Sequence, residues 1–264
     1  MSAPFTVLIP ARYGASRLPG KPLLLLDDRP MIAHVCARAR ESGAARVVVA
    51  TDDARIAAAV PRDLAEVCLT ATDHDSGSSR LAEATTRLDL DADAVVVNLQ
   101  GDEPLLPGVL LDQVADLLLA DRQAVAATLQ TPITQWHELF DPNCVKVVSD
   151  QRGRALLFSR APLPWHRQQF AALPDRFGAD AAPPAAGIWF RHLGIYAYRA
   201  GYLRRYVTLP PAPLEALESL EQLRILWHGD AIRIATAVAT PGPGVDTADD
   251  LARVRAQLAA GRGG

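Results

Sequence analysis

A short stretch near the N-terminus, I-P-A-R-Y-G-A-S-R-L-P-G-K at residues 9–21, combines cations with glycine and proline. Its cations are Arg12, Arg17 and Lys21, and residues 1–21 contain no carboxylate that could pair with them. The stretch follows an apolar run that predicts a buried strand, and its glycines let the backbone approach a ligand closely. Cations and backbone N–H groups in such a loop are typical of a triphosphate site. The spacing matches neither a Walker loop nor a Rossmann fingerprint, and an ordinary surface loop is the alternative.

Lysine usage favours the phosphate interpretation. The 27 basic residues of the chain include only two lysines, Lys21 and Lys146. A lysine offers a compact point charge, whereas arginine offers a planar fork. A lysine in this loop therefore indicates a point charge directed at phosphate.

A carboxylate follows a second predicted strand. The apolar run at 94–99 leads directly into Q-G-D-E-P at 100–104, which places Asp102 at the end of that strand. Ligands of open α/β sheets bind outside the carboxyl ends of the strands. Mg²⁺ takes few protein carboxylates and completes its shell with water and substrate phosphates. Asp102 is therefore a predicted Mg²⁺ ligand, with a plain β-turn as the alternative.

A second carboxylate candidate lies near the C-terminus. Asp246 occupies the glycine-rich corner P-G-P-G-V-D-T at 241–247, and Thr247 with Asp250 predicts a variant capping box for a final helix. We interpret Asp246 as the second Mg²⁺ ligand, and turn chemistry is the rival explanation.

Two further motifs stay ambiguous from the residues alone. The polar stretch 73–83, D-H-D-S-G-S-S-R-L-A-E, could contact a base or a ribose, or it could be an ordinary helix N-cap. His192, in R-H-L-G-I-Y-A-Y-R at 191–199, could be a structural histidine or a contact to an acidic ligand.

The elements that must position these residues alternate from the N-terminus as strand, helix, strand, helix, strand. This order predicts a mostly parallel central sheet with helices on both faces. A hairpin turning at 150–153 breaks the alternation, so we expect one domain with residues 130–200 as an antiparallel insertion. We predict that this insertion is a lobe on the sugar side that also makes dimer contacts. Residues 170–187 predict a loop or lid. Leucines at every third position of 213–228 predict a helix that is buried on several sides, which indicates a homodimer.

Composition excludes several classes of protein. A chain of 264 residues with 49% apolar residues can bury a sizeable core, and a net charge of −3 argues against broad electrostatic binding to nucleic acid. No stretch approaches the length of a membrane helix, and the N-terminus lacks the pattern of a signal peptide. The three cysteines are far apart in the chain, and we interpret them as small buried residues of a protein in a reducing compartment. We therefore expect a cytoplasmic protein that binds a small anionic ligand.

Several motifs together resemble one family, the 3-deoxy-manno-octulosonate cytidylyltransferases or CMP-Kdo synthetases. The motifs cover nearly the whole chain in order: P-A-R-Y-G-A-S-R-L-P-G-K (10–21), V-N-L-Q-G-D-E-P (97–104), N-C-V-K-V-V (143–148), F-S-R-A (158–161), R-H-L-G-I-Y (191–196), E-Q-L-R-I-L-W (221–227) and P-G-P-G-V-D-T (241–247). The resemblance implies a Rossmann-like nucleotidyltransferase fold and a homodimer. It also implies Mg²⁺-dependent transfer of CMP from CTP to the acidic sugar Kdo, with release of pyrophosphate, for lipopolysaccharide assembly.

The resemblance also implies roles for individual residues. The triphosphate contacts are Arg12, Ser16, Arg17 and Lys21, the metal ligands are Asp102 and Asp246, the nucleoside contacts are Ser76, Gly77 and Arg80, and the sugar contacts are Gln100, Arg160, His192, Tyr196, Glu221 and Gln222. Gln100 is expected to contact the nucleotide as well, and Lys21, Arg17, Asp102 and Asp246 are the expected catalytic residues. In-line attack by the anomeric hydroxyl on the α-phosphorus needs mainly positioning and charge stabilisation.

The chain departs from the family pattern after H-D-S-G, where Ser78-Ser79 replaces an expected threonine and acidic residue. This departure concerns base recognition. Three alternatives remain at this point: a cytidylyltransferase for another acidic sugar, a transferase for another nucleotide, and a protein that binds nucleotide without catalysis.

Overall fold

The computed structural model describes residues 4–14, 18–168, 170 and 187–261. Ser16, Arg17 and most of the predicted loop at 170–187 therefore lie outside the described residues. The strands that it describes are β1 (Phe5–Ala11), β2 (Leu25–Leu26), β3 (Arg29–Pro30), β4 (Arg46–Thr51), β5 (Glu66–Leu69), β6 (Val95–Asn98), β7 (Ala124–Pro132), β8 (Lys146–Ser149), β9 (Ala155–Ser159), β10 (Phe190–Arg199) and β11 (Ala231–Thr236). The described α-helices are α1 (Met31–Arg40), α2 (Ala54–Ala59), α3 (Gly77–Arg87), α4 (Gly108–Leu119), α5 (Trp136–Phe140), α6 (Ala200–Tyr206), α7 (Pro213–Glu218), α8 (Gln222–Trp227) and α9 (Ala248–Gly261).

The chain folds into two compact units. The first consists of Met1–Ala120, Ile195–Thr208 and Val238–Gly264, and the second consists of Asp121–Gly194 and Leu209–Ala237. The second unit includes most of the predicted insertion at 130–200, together with a later segment that the prediction did not include. Its role as a lobe on the sugar side stays a prediction.

The first unit contains the predicted parallel sheet. β1 pairs in parallel with both β4 and β6, and β4 pairs in parallel with β5. The end of β10 adds an antiparallel strand beside β6, where Tyr196 is opposite Asn98. The apolar runs V-L-I in β1 and V-V-V in β4 and β6 are buried, as expected for strands covered on both faces. The mostly parallel sheet predicted from the alternating elements is thus confirmed.

Parallel pairing brings the carboxyl ends of these strands to one edge of the sheet. Ala11 is in register with Thr51, so β1 and β4 end at the same level, whereas β6 ends at Asn98, opposite Leu8 of β1. Gly101 passes directly against β1, because a Cβ at this position would lie 3.0 Å from the carbonyl oxygen of Pro10. The two loops that carry the predicted phosphate and metal residues therefore meet at this edge.

The second unit has its own strand pairs. β7 and β11 are parallel, whereas β8 pairs antiparallel with β9 and with the start of β10. The predicted hairpin is confirmed: Asp150 accepts hydrogen bonds from the N–H groups of Arg152 and Arg154, and Gly153 has a positive φ of 71°. A glycine at such a φ avoids the steric cost that a side chain would add.

The predicted single helix over 213–228 is wrong. The segment forms two short helices, α7 and α8, which are separated by Ser219 in a left-handed conformation with φ 52°. Leu217 is 83% exposed, whereas Leu220 and Leu223 are buried. The regular leucine spacing therefore does not describe one continuous buried helix, and it gives no support to a homodimer. None of the described helices has both the length and the apolar character needed to cross a membrane.

Candidate active site

A cavity of about 260 Å³ lies at the carboxyl edge of the parallel sheet in the first unit. The residues that line it are Pro10, Ala11, Arg12, Leu18, Lys21, Pro22, His74, Ser76, Gly77, Arg80, Gln100, Gly101, Asp102 and Asp246. The structure thus brings together eight residues that the sequence indicated from four separate stretches: Arg12, Lys21, Ser76, Gly77, Arg80, Gln100, Asp102 and Asp246. The assignment of their individual roles stays a prediction.

Lys21 joins the two predicted metal ligands. Its ammonium donates to Asp102 Oδ2 at 2.7 Å, to Asp246 Oδ1 at 3.1 Å and to the carbonyl oxygen of Val245 at 2.9 Å. Burial alone lowers the pKa of Lys21, but the two carboxylates outweigh it and hold the pKa above its ordinary value. The ammonium is therefore charged at neutral pH, and three oxygens surround it.

Packing around Val245 explains how a residue so far along the chain reaches Asp102. Val245 donates its N–H to the carbonyl oxygen of Asp102 at 2.9 Å. Its side chain is buried in a cluster with Leu26, Met31 and two residues of α9. The predicted capping box is present, because Thr247 and Asp250 exchange hydrogen bonds at the start of α9. This corner fixes Asp246 at the edge of the sheet.

Glu103 adds a third carboxyl group beside this cluster, and the sequence analysis did not identify it. Burial, followed by repulsion from Asp102 and Asp246, raises the pKa of Glu103 to about 8, although Lys21 opposes the shift. Gly244 packs against it, since a Cβ there would lie 2.9 Å from Glu103 Oε1. Glu103 is thus mostly protonated at neutral pH, and the negative charge that a divalent cation can offset comes from Asp102 and Asp246, which outnumber the one ammonium of Lys21.

The donor set suits Mg²⁺. Carboxylate and carbonyl oxygens are the hard ligands that this ion prefers, and one or two carboxylates suffice when substrate phosphates complete the shell. Lys21 already demonstrates that Asp102, Val245 and Asp246 can surround a cation with oxygen atoms. Among the described residues, no cluster of three or more His, Cys, Asp and Glu side chains is arranged to hold a metal by itself. A metal here would thus rely on substrate oxygens as well.

The start of α3 forms another part of the cavity wall. Ser76 is the N-cap and accepts a hydrogen bond from Ser79 N–H, while Ser79 Oγ accepts one from Ser76 N–H. Ser79 therefore completes a capping box at the position where the resemblance predicts an acidic residue. The departure at Ser78-Ser79 leaves the helix start properly capped.

Arg80 reaches the cavity with its guanidinium already engaged. The residue is only 3% exposed, and it donates to Thr70 Oγ1, to the carbonyl oxygen of Ala71 and to Asp52 Oδ2. These bonds connect α3 to the segments that follow β4 and β5. Arg80 thus holds the wall of the cavity in place as well as lining it.

The predicted sugar contacts are divided between the two units. Gln100 and Tyr196 belong to the first, where Gln100 lines the cavity and Tyr196 stacks on Tyr198 with 5.4 Å between ring centroids. Arg160, His192, Glu221 and Gln222 belong to the second.

In the second unit, two of the predicted sugar contacts already have structural partners. Arg160 donates to the carbonyl oxygens of Glu218 and Pro142. Nε2 of His192 is 2.9 Å from Thr128 Oγ1, and burial lowers the pKa of His192 to about 3. Glu221 is exposed, and Gln222 is buried at the start of α8. His192 is therefore neutral. Whether it is a structural histidine or a contact to an acidic ligand stays open.

The cavity also has lining residues that the sequence analysis did not assign. Five of them flank predicted contacts in the chain: Pro10, Ala11, Leu18, Pro22 and Gly101. The sixth is His74, which lies two residues before the N-cap of α3. The polar stretch 73–83 had indicated a ligand contact in this region, but nothing in the spacing singled out the histidine.

Comparisons with known proteins place the chain in a family. A family model described as Cytidylyltransferase matches residues 6–234. A 3-deoxy-manno-octulosonate cytidylyltransferase of Halorhodospira halophila is 59% identical over 259 residues, which is 98% of each chain. The protein of the same name from Alkalilimnicola ehrlichii is 56% identical over the same length and coverage. A solved structure of CMP:2-keto-3-deoxy-manno-octonic acid synthetase complexed with CTP superposes with a TM-score of 0.86 at 41% identity, and the match covers 98% of this chain and 100% of that one.

Proposed function

Because this chain belongs to the cytidylyltransferase family, we propose that it transfers CMP from CTP to the anomeric hydroxyl of 3-deoxy-manno-octulosonate (Kdo). The products are CMP-Kdo and pyrophosphate, and the enzyme is a nucleotidyltransferase. The observation that carries this function is the cavity in which Lys21, Asp102 and Asp246 meet. Two relatives that match this chain over nearly their whole length are named for this reaction, which supports Kdo as the sugar. The activated sugar serves lipopolysaccharide assembly.

The cations of the cavity bind the triphosphate. Arg12 is exposed at the end of β1, and Lys21 lies at the opposite end of the same loop. Both place positive charge where the β- and γ-phosphates carry negative charge, which increases as pyrophosphate leaves. Ser16 and Arg17 are assigned to the same task on the resemblance of the motif alone.

Asp102 and Asp246 would hold the Mg²⁺ ion that the family resemblance implies. When bound, this ion supplies positive charge at the phosphate oxygens. The chain itself orients the reaction: the Kdo hydroxyl attacks the α-phosphorus in line, its bond to phosphorus forms, and the bond to the pyrophosphate oxygen breaks. The hydroxyl proton leaves to solvent, since the described cavity lining has no carboxylate besides Asp102 and Asp246.

The sugar end of the reaction is assigned to Gln100, Arg160, His192, Tyr196, Glu221 and Gln222. This assignment is supported by motif resemblance, and so is a homodimer. A cytoplasmic location is supported by the three widely spaced cysteines, which are typical of a reducing compartment. Arginine and amide side chains suit the carboxylate and hydroxyl groups of an acidic sugar.

Release of pyrophosphate tests the function directly. We expect the purified protein to release pyrophosphate from CTP and Kdo with Mg²⁺, and to stop when a chelator is added. Sialic acid in place of Kdo, and UTP, GTP or ATP in place of CTP, are the matched controls. Turnover with sialic acid and none with Kdo would assign the enzyme to another acidic sugar. Binding of CTP without release of pyrophosphate under any of these conditions would leave only a nucleotide-binding role.

A further inference from the structure

The ring of His74 is fixed at both of its nitrogen atoms. Nε2 is 2.5 Å from Glu83 Oε2, and Nδ1 is 3.2 Å from Ser79 Oγ. The side chain of His74 is only 14% exposed, and yet the residue lines the cavity. When both nitrogens of a histidine contact protein groups, neither nitrogen remains for a hydrogen bond to a ligand. A ligand can then contact only the faces and the carbon edges of the ring.

Glu83 holds this arrangement from α3. Its Oε2 also accepts the backbone N–H of Ala71 at 2.9 Å, and its Oε1 accepts from Arg87 on the outer side of the helix. Burial alone raises the pKa of Glu83, but hydrogen bonds from His74, Ala71 and Arg87 lower it to about 2. An ionised carboxylate accepts hydrogen bonds only, so Nε2 of His74 carries the proton. The segment between β5 and α3 is thus bound to the helix through one carboxylate.

The position of His74 in the cavity indicates which part of a nucleotide it meets. Lys21, Asp102 and Asp246 form one charged cluster, which suits the triphosphate. His74 belongs instead to the wall at the start of α3, together with Ser76, Gly77 and the already paired Arg80. When the phosphates of a nucleotide contact Lys21, its base and ribose lie against this wall.

We propose that His74 is a planar wall that packs against the nucleoside of CTP, and that Glu83 is the positioning residue that fixes its ring. The inference rests on the proposed function, because it takes CTP as the ligand. Bases stack on aromatic side chains, histidine included, and each such contact contributes measurably to affinity. The wall acts through shape, so a flat ring without nitrogen atoms can replace the imidazole in part, although Glu83 and Ser79 no longer fix its orientation.

The first experiment compares His74→Ala and His74→Phe by calorimetry, with CTP and with inorganic triphosphate as the two probes. Loss of the ring in His74→Ala should weaken CTP binding about fivefold or more, the lower range expected for a stacked base. The same variant should bind inorganic triphosphate within about twofold of the parent, because the charged cluster is unchanged. His74→Phe keeps a flat ring but loses the contacts to Glu83 and Ser79, so it should bind CTP more tightly than His74→Ala and more weakly than the parent. His137→Ala removes an exposed histidine and is the matched control.

The second experiment tests the positioning role of Glu83. Glu83→Ala should raise KM for CTP about as much as His74→Ala does, with kcat within about twofold of the parent. Glu83→Gln keeps an oxygen acceptor and should restore most of the loss, and Arg87→Gln removes only the outer partner and should have little effect.

Separate outcomes overturn the inference and the proposed function. Parental CTP affinity in His74→Ala, or an equal loss of CTP and inorganic triphosphate binding, would overturn the role of His74. Parental KM in Glu83→Ala would overturn the role of Glu83. A parental protein that binds CTP but releases no pyrophosphate with Kdo would overturn the proposed reaction, and the calorimetry would still decide the role of His74. A parental protein that does not bind CTP would overturn both.

Discussion

Lys21 Nζ lies 2.7 Å from Asp102 Oδ2, although 81 residues of chain separate them. The same ammonium contacts Asp246 Oδ1 at 3.1 Å, from the far end of the sequence. One cation thus connects the loop after β1 to both carboxylates that we assign to Mg²⁺. A metal ion that takes these oxygens must compete with the ammonium, while phosphate groups of CTP offer Lys21 another set of partners.

The competition predicts that Lys21→Met will strengthen Mn²⁺ binding to the nucleotide-free protein. We expect a gain of about twofold to fivefold, because partly exposed ion pairs contribute about 0.5–1 kcal/mol each. Titration followed by electron paramagnetic resonance of free Mn²⁺ measures it. Lys21→Arg keeps a cation in place and should show no gain. Equal Mn²⁺ affinity in Lys21→Met and the parent would contradict the competition, whatever the activity of either protein.

Asp102→Asn should lower the turnover number by about 100-fold or more while leaving the fold intact. The amide keeps the size of the side chain but removes the negative charge that the metal requires. The measurement is pyrophosphate release at saturating CTP and Kdo, with the circular dichroism spectrum as a check on the fold. Asp112→Asn is the control, since Asp112 bonds the N–H of Gly43 away from the cavity lining. Parental turnover in Asp102→Asn would remove Asp102 from the metal site.

Gly242→Ala should destabilise the protein by about 1–3 kcal/mol, the usual cost of overpacking. A Cβ at this position would lie 2.5 Å from Leu105 Cβ, so the corner that carries Asp246 must shift. Urea unfolding measures the loss, and pyrophosphate release should fall with it. Gly194→Ala is the matched control, because no atom lies within 4 Å of its added Cβ. Equal stability of the two variants would show that the corner is less tightly packed than the structure describes.

His192 predicts a specific dependence of stability on pH. In the unfolded chain a histidine binds its proton near pH 6.5, whereas the folded protein keeps His192 neutral down to about pH 3. Its contribution to the free energy of unfolding is thus complete above pH 6.5 and is lost progressively as the pH falls towards 3.

Urea unfolding at pH 7.5 and pH 5 measures this dependence. His192→Gln removes the titrating group, so the variant should lose less stability than the parent over this interval, by on the order of 1–2 kcal/mol. His137→Gln, which changes an exposed histidine, should behave like the parent. An identical loss in His192→Gln and the parent would mean that His192 takes up its proton in the folded state at an ordinary pH.

The sequence was sufficient to predict that the loop after β1 and the residues after β6 lie together, because strand ends and turn residues are local features. Residues that follow β1 and β6 had to meet once the parallel order was recognised, and the structure brings Lys21 and Asp102 together. The helix over 213–228 could not be predicted correctly from its leucine spacing, since the break depends on Ser219 adopting a left-handed conformation. His74 could not be assigned either, because its role depends on two hydrogen bonds to residues of α3 that only the folded chain displays.

The most direct test of the account is a crystal structure of the protein with CTP and Mn²⁺, in which anomalous scattering locates the metal. We predict Mn²⁺ bound by oxygen atoms of Asp102 and Asp246, and a triphosphate contacted by Lys21 in the same cavity. A triphosphate bound elsewhere, or a metal with no ligand from either aspartate, would contradict the central claim.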